Sequence, residues 1–139
     1  MISDRRGGVG LGHSGTVLLF RNREREACVL GGYPGVAGLD ASGQQVTEAV
    51  RTANGYMGGL PIGQTAPPVI ELAAGGTASA LVEGTDIPLG AATSCPALAG
   101  LLVTPPGSHH SAVLPHLAPG DCSRLEVHPV VAGTNGGEG

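Results

Sequence analysis

The 139-residue chain contains no tryptophan and no lysine, and its aromatics are one phenylalanine and two tyrosines. Each shortage excludes something. Without Lys there is no Walker-type phosphate loop, whose lysine reaches the terminal phosphates. With only Phe20, Tyr33 and Tyr56 as aromatics and a net charge of −4, the chain lacks the basic footprint and the stacking platforms that nucleic-acid binding uses, so no nucleic-acid partner is expected. Charged residues make up 13% against 41% hydrophobic, the reverse of the disorder signature. No run approaches the ~18 apolar residues of a transmembrane helix. Met1 to Gly12 has no apolar centre of the signal-peptide kind; if the protein is exported, this sequence begins after the cleavage site or the start lies upstream. Cysteines are few and odd in number, Cys28, Cys95 and Cys122, and no C-x-x-C exists to make a redox motif or a zinc ribbon.

What the chain does have is Gly (25) and Pro (11), together about a quarter of it. With so much hydrophobic sequence beside them, they mark turns in a folded, loop-rich domain. Residues 1–14 read as a flexible Gly-rich arm, 15–133 as one domain and 134–139 as a flexible tail. Within the domain, Thr16–Asn22 (with Val17, Leu18, Leu19 and Phe20 in succession) reads as a strand buried on both faces. Arg21–Glu26 is a charged turn and Ala27–Leu30 the return strand. Gly31-Gly-Tyr-Pro-Gly35 forces a corner, with Tyr33, Pro34 and Gly35 expected in a structural role. Hairpins are expected for Val36–Leu39 with Gln45–Val50, for Val69–Leu72 with Thr77–Val82, and for Leu101–Thr104 with Ala112–Leu114. Residues 51–68 are expected to be the least structured, Glu83–Ala99 an irregular crossover, and Leu125–Val131 a last strand. Short strands with turns every 8–12 residues and no amphipathic helix predict an all-β domain, a sandwich of about seven to nine antiparallel strands, with a closed barrel as the alternative.

An ordered set of residues carries a resemblance. Phe20-x-Asn22, Cys28 and Gly32-Tyr-Pro-Gly-Val36 are followed by Leu72-Ala-Ala-Gly-Gly76-x-Ala78-x-Ala80. Then come Cys95, Leu101-x-Val103-x-Pro105-Pro-Gly107, Cys122 and Leu125-x-Val127-x-Pro129-Val130. From about Gly15 to Gly133 the chain resembles an actinobacterial domain of unknown function, the DUF4232 family, found in secreted proteins and lipoproteins. The resemblance implies export to the cell envelope, an immunoglobulin-like sandwich and disulfide bonds, and it implies no reaction. The family often carries a further Cys before the first strand; this chain has none, which leaves Cys28 without an evident partner. Cys95 and Cys122 bracket the Leu101–Leu114 hairpin, and their bridge would contribute roughly 3 kcal/mol. Cys28–Cys95 is the competing bridge, and three reduced thiols the remaining reading.

Residues that could carry chemistry are sparse. Gly10-Leu-Gly-His-Ser-Gly15 matches G-x-G-x-x-G, but a strand follows it where a dinucleotide site needs a helix. Among His13, His109, His110, His116 and His128, a metal set of His110 and His116 with Asp121 or His128 is the candidate, though no short-spaced ligand pair supports it. A triad from Ser108 or Ser111, a His and Asp121 needs a base within hydrogen-bond reach; Glu24 and Glu26 read as a solvated corner. No cofactor and no catalysis are expected. The leading expectation is therefore a non-catalytic exported accessory or binding domain with an unidentified protein or envelope partner. Its candidate recognition loop is 51–68, with Tyr56 and Met57. The alternative is a His-dependent metal or small-ligand binder using residues 108–128.

Overall fold

Strands follow one another along the whole chain, and the turn residues decide where each one stops. The computed structural model describes residues 2–10, 12–85, 95, 98–115, 119 and 124–137. Among them are twelve strands and no helix. In chain order these are β1 (Ile2–Gly10), β2 (His13–Arg21), β3 (Cys28–Gly31), β4 (Gly35–Leu39), β5 (Gln45–Glu48) and β6 (Val50–Arg51). They continue as β7 (Val69–Leu72), β8 (Thr77–Thr85), β9 (Gly100–Thr104), β10 (Ala112–Pro115), β11 (Glu126–Val127) and β12 (Val131–Ala132). The protein is all-β.

The strands form three sheets. A six-stranded sheet runs β1-β2-β8-β11-β6, with β12 also on β8; a four-stranded sheet runs β10-β9-β4-β5; β3 and β7 form a separate pair. All ladders are antiparallel except β11 with β6. One hydrophobic core takes Leu18 and Phe20 from β2 and Ala78, Ala80 and Val82 from β8. It meets Val36, Leu101, Val103 and Leu114 from the four-stranded sheet. These core positions alternate along each strand, as a pleat requires. Val17, Leu18 and Phe20 are all buried, so β2 is covered on both faces as its unbroken apolar run predicts.

Two expected hairpins split between sheets. The return strand β3 pairs with β7 rather than with β2, and β8 pairs with β2 rather than with β7. The turns themselves form where expected. Buried Asn22 explains the rearrangement: its side-chain amide donates to Glu26 O (2.9 Å) and Leu72 O (3.1 Å), and its Oδ1 accepts from Glu24 N–H (2.9 Å). Its backbone exchanges bonds with Gly75 and Gly76. One side chain thus joins the β2–β3 corner to the β7–β8 turn and holds both pairs of strands apart. The hairpins β4–β5 and β9–β10 form as expected. In the first, the Asp40 carboxylate accepts from Ser42 and Gln44, and these bonds, the Ser42 hydroxyl foremost, hold its pKa below the ordinary value.

Three segments depart from expectation by being more ordered. Ile2–Gly10, expected as an arm, is a strand on β2, because the outer edge of β2 presents backbone groups that need partners. Gly10 and His13 face each other across its turn, so the G-x-G-x-x-G match is a hairpin. Thr134–Gly137, expected in the tail, lies on β8: Gly136 N–H donates to Ser79 Oγ at 2.8 Å, and Gly136 is buried. Glu83, expected to open a crossover, lies within β8.

Candidate functional site

Alternation along β8 sends Ala78, Ala80 and Val82 into the core, so Ser79, Leu81 and Glu83 point to the opposite face of the six-stranded sheet. That face is not left to water: Ser79, Leu81 and Glu83 are all buried. Its cover comes from residues 52–60, which leave β6, and from the 134–137 segment.

β11 brings the partner. Val127 lies opposite Val82 and Glu126 opposite Glu83, and His128 N–H donates to Leu81 O at 3.0 Å. Leu125 and Val127 face the core, which turns Glu126 and His128 to the covered face. Between Val127↔Val82 and Val131↔Ser79 the register advances by one residue. Such a bulge re-aims the chain, and Pro129, with no N–H to offer the ladder, falls in it. Val130 then returns to the core.

The result is a buried acid–base pair. His128 Nε2 lies 2.5 Å from Glu83 Oε2, with the side chains 0% and 2% exposed. On the other side of the ring, Nδ1 is 2.9 Å from Thr52 O and 3.1 Å from Thr52 Oγ1. A carbonyl oxygen only accepts, so Nδ1 carries a hydrogen. In a neutral ring Nε2 is then an acceptor, and an ionised carboxylate is also an acceptor. The short Nε2–Oε2 contact therefore holds a proton between them. Burial pulls the His128 pKa down, but the bond to Glu83, the bond to Thr52 O and the charges of Glu83 and Glu126 outweigh it and raise it above 6.5. Below the raised His128 pKa the ring carries the shared proton, and the pair is an imidazolium–carboxylate bridge. Met57 N–H adds bonds to both carboxylate oxygens, 3.2 and 3.3 Å, and Thr52 Oγ1 donates to Glu126 Oε1 at 2.9 Å.

The 52–60 loop closes on this pair because glycines let it. A Cβ on Gly55 would lie 2.7 Å from Glu83 Oε2. Gly59 has φ +104°, and a Cβ there would meet Ala53 O at 2.7 Å and His128 Cγ at 3.0 Å. The loop is fastened by Gly55 N–H to Gly58 O (2.8 Å) and Leu60 N–H to Ala53 O (2.8 Å), with Leu60 buried. Outside it, Tyr56 is 59% exposed and stacks on His13, ring centroids 3.8 Å apart and planes 12° from parallel. The segment expected to be least structured is thus ordered around Glu83. Beyond it, Ile62 on the turn closed by Gln64 N–H to Pro61 O is 97% exposed.

The other candidates separate. His128 is committed to Glu83 and Thr52 and has no free nitrogen for a metal, which corrects its place in the metal set. His110 is exposed on the loop before β10, and its N–H takes Ser108 Oγ at 3.0 Å. His116, Asp121 and Cys122 lie outside the described residues, as therefore does the Cys95–Cys122 pairing. Among the described residues, no group of three or more His, Cys, Asp or Glu is placed to hold a metal. Ser111 Oγ is bonded to Thr104 Oγ1 at 2.6 Å and closes the β9–β10 hairpin. Cys28 is free and exposed, so the Cys28–Cys95 bridge is not made. Tyr33 is half-buried and Pro34 buried at their corner, where Gly32 O accepts from Val130 N–H at 2.9 Å. Glu24 and Glu26 are exposed, as a solvated corner requires.

Sequence reasoning missed Glu83. The signal available was a lone acid inside the apolar run Ala78-Ser-Ala-Leu-Val-Glu83, flanked by nothing that marks a turn until Gly84. Among the described residues, no helix is long and apolar enough to cross a membrane. Comparison with curated proteins and with solved structures finds no match. The family model described as domain of unknown function DUF4232 matches residues 3–131, which takes in every strand but the last residue of β12 and the start of β1. The chain belongs to the DUF4232 family.

Proposed function

We propose that this chain is a non-catalytic, exported accessory or binding domain of the cell envelope, built as an immunoglobulin-like sandwich and displaying the 52–67 segment as its recognition surface. The observation that carries the reading is the exposed Tyr56–His13 stack on a loop whose backbone is tied to a buried carboxylate. An aromatic ring held still contributes contact area to a partner at little entropic cost. Ile62, on the turn that follows, adds an apolar side chain with no neighbour to cover it. The sandwich reading is supported by a core shared between two sheets and by nine strands of four or more residues. The non-catalytic reading is supported by the sealed state of the Glu83–His128 pair, since a general acid or base must reach its substrate. Export is supported by the secretory habitat that the family resemblance implies; a Cys95–Cys122 disulfide, were it formed, is what an oxidising compartment would preserve.

Hydrogen exchange of the full chain, with and without a purified envelope fraction, tests the binding reading. Added protection confined to residues 56–67, and lost in Tyr56→Ala, is the expected result. Unchanged exchange throughout rejects it. Non-reducing mass spectrometry of natively produced protein tests export: one free thiol is expected, and three free thiols in a cytosolic fraction overturn it.

A further inference from the structure

The loop that displays Tyr56 is fastened at two points to a pair that must share a proton. Thr52, at its start, holds the Nδ1 side of His128, and the Met57 N–H, at its tip, holds Glu83. Glu83 and His128 themselves stand on strands fixed by ladders: β8 is paired with β2 and β11, and His128 N–H reaches Leu81 O. The loop is tied at its ends, by Thr52 N–H to Val127 O (3.1 Å) and Gly59 N–H to Gly137 O (3.2 Å), and between them has the isolated Asn54↔Gly59 bridge and turn bonds but no strand ladder. Remove the shared proton, and Nε2 and Oε2 face each other as two acceptors at contact distance. The ring is fully buried, with Gly59 close enough that a Cβ there would lie 3.0 Å from its Cγ, so turning away is hindered. What gives is the element with the fewest fastenings, the loop.

We infer that Glu83 and His128 form a one-proton latch on the 52–60 loop: with the proton the loop is shut on the sheet, and loss of the proton releases it together with Tyr56. The charged groups facing the ring are Glu83 from β8 and Glu126 from β11, and both hold the proton in place; the loop contributes the neutral Thr52 and the Met57 amide. The latch is shut on the acid side of the His128 titration, whose midpoint is raised above the ordinary 6.5, and opens on its alkaline side. For the proposed function this makes partner binding pH-gated, a consequence that rests on the binding reading; the latch itself does not.

The test uses the whole chain without any ligand. Ring nitrogen shifts of His128 and the protection factors of the Met57 and Leu81 amides, corrected for intrinsic exchange, are followed from about pH 6 to about pH 10. Protection at Met57 is expected to be level below the His128 midpoint. Above it, protection falls by up to about tenfold per pH unit, the slope of one released proton, while Leu81 stays protected. In Glu83→Gln the carboxamide donates to a neutral Nε2 and still accepts from Met57, so Met57 protection becomes level across the range. Level protection at Met57 through the His128 titration of the wild type overturns the inference. So does the same slope in Glu83→Gln, and so does a ring that keeps its proton to about pH 10, because a proton that never leaves releases nothing. Should the variant not fold, agreement or disagreement of the two wild-type midpoints decides. Failure of the binding reading looks different: a titrating latch with envelope binding indifferent to Tyr56→Ala.

Discussion

Replacing Glu83 by alanine is the perturbation that separates a structural bridge from an incidental contact. Glu83→Ala removes the acceptor of His128 Nε2 and the acceptor of Met57 N–H in one step. Breaking a buried ion pair from one side costs about 3–5 kcal/mol, because a charge is left without a partner. His128 recovers part of this by giving up its proton, since burial alone favours the neutral ring. The orphaned amide adds about 1–3 kcal/mol where water does not reach it. A loss of about 3 kcal/mol is the expectation, against a total stability of roughly 5–15 kcal/mol. Glu83→Gln keeps both hydrogen bonds in neutral form and should cost about 1 kcal/mol. Urea unfolding followed by circular dichroism at about pH 6 measures both; with a slope of about 1–3 kcal/mol/M, the alanine variant's midpoint falls by about 1–3 M. The pH dependence follows from the raised His128 pKa. The bridge contributes fully below about 6.5, the unfolded value, and its contribution is lost as pH rises through the higher folded value. The coupling in a Glu83→Ala/His128→Ala cycle should therefore shrink from about pH 6 to about pH 9. An alanine variant within about 0.5 kcal/mol of wild type, the range of surface substitutions, refutes the reasoning.

Three further outcomes are expected. Gly55→Ala places a methyl 2.7 Å from Glu83 Oε2; it should cost roughly 1–3 kcal/mol by overpacking, read from thermal unfolding, with exchange at Met57 rising in step. Asn22→Ala leaves Leu72 O and the Glu24 amide without their side-chain partners; a loss of roughly 1–3 kcal/mol and faster exchange in both β3 and β7 are expected, and an effect confined to the β2–β3 corner would contradict the tie. Cys28, exposed and free, should label fully with a maleimide in the folded protein, while Cys95 and Cys122 label only after reduction and unfolding.

Much of the fold was legible because local chemistry carried it. The apolar run Val17–Phe20 announced a strand covered on both faces, and Asp40-Ala-Ser-Gly43 announced a turn. The division into sheets was not legible, since it depends on Asn22 bonding to a carbonyl fifty residues away. Nor was the crossing at Ala49, where the chain leaves the four-stranded sheet at Glu48 and joins the six-stranded one at Val50; nothing in Val46-Thr-Glu-Ala-Val50 marks it. The site was half legible. Tyr56 and Met57 stand out in the loop by composition, and His128 reads as a candidate ligand. Its partner was hidden because an acid on a strand reads as a solvent-facing residue unless a second layer covers it. Here that layer is the 52–60 loop, which looked unstructured by composition. Its glycines are what permit the close approach to Glu83 and His128.

The most direct measurement is the ring nitrogen spectrum of His128 at about pH 6, recorded with and without added zinc. A sealed bridge gives two protonated ring nitrogens, with Nε2–H in a strong hydrogen bond, and a spectrum that zinc leaves unchanged. A neutral ring whose signals move when zinc is added would contradict the account at its centre.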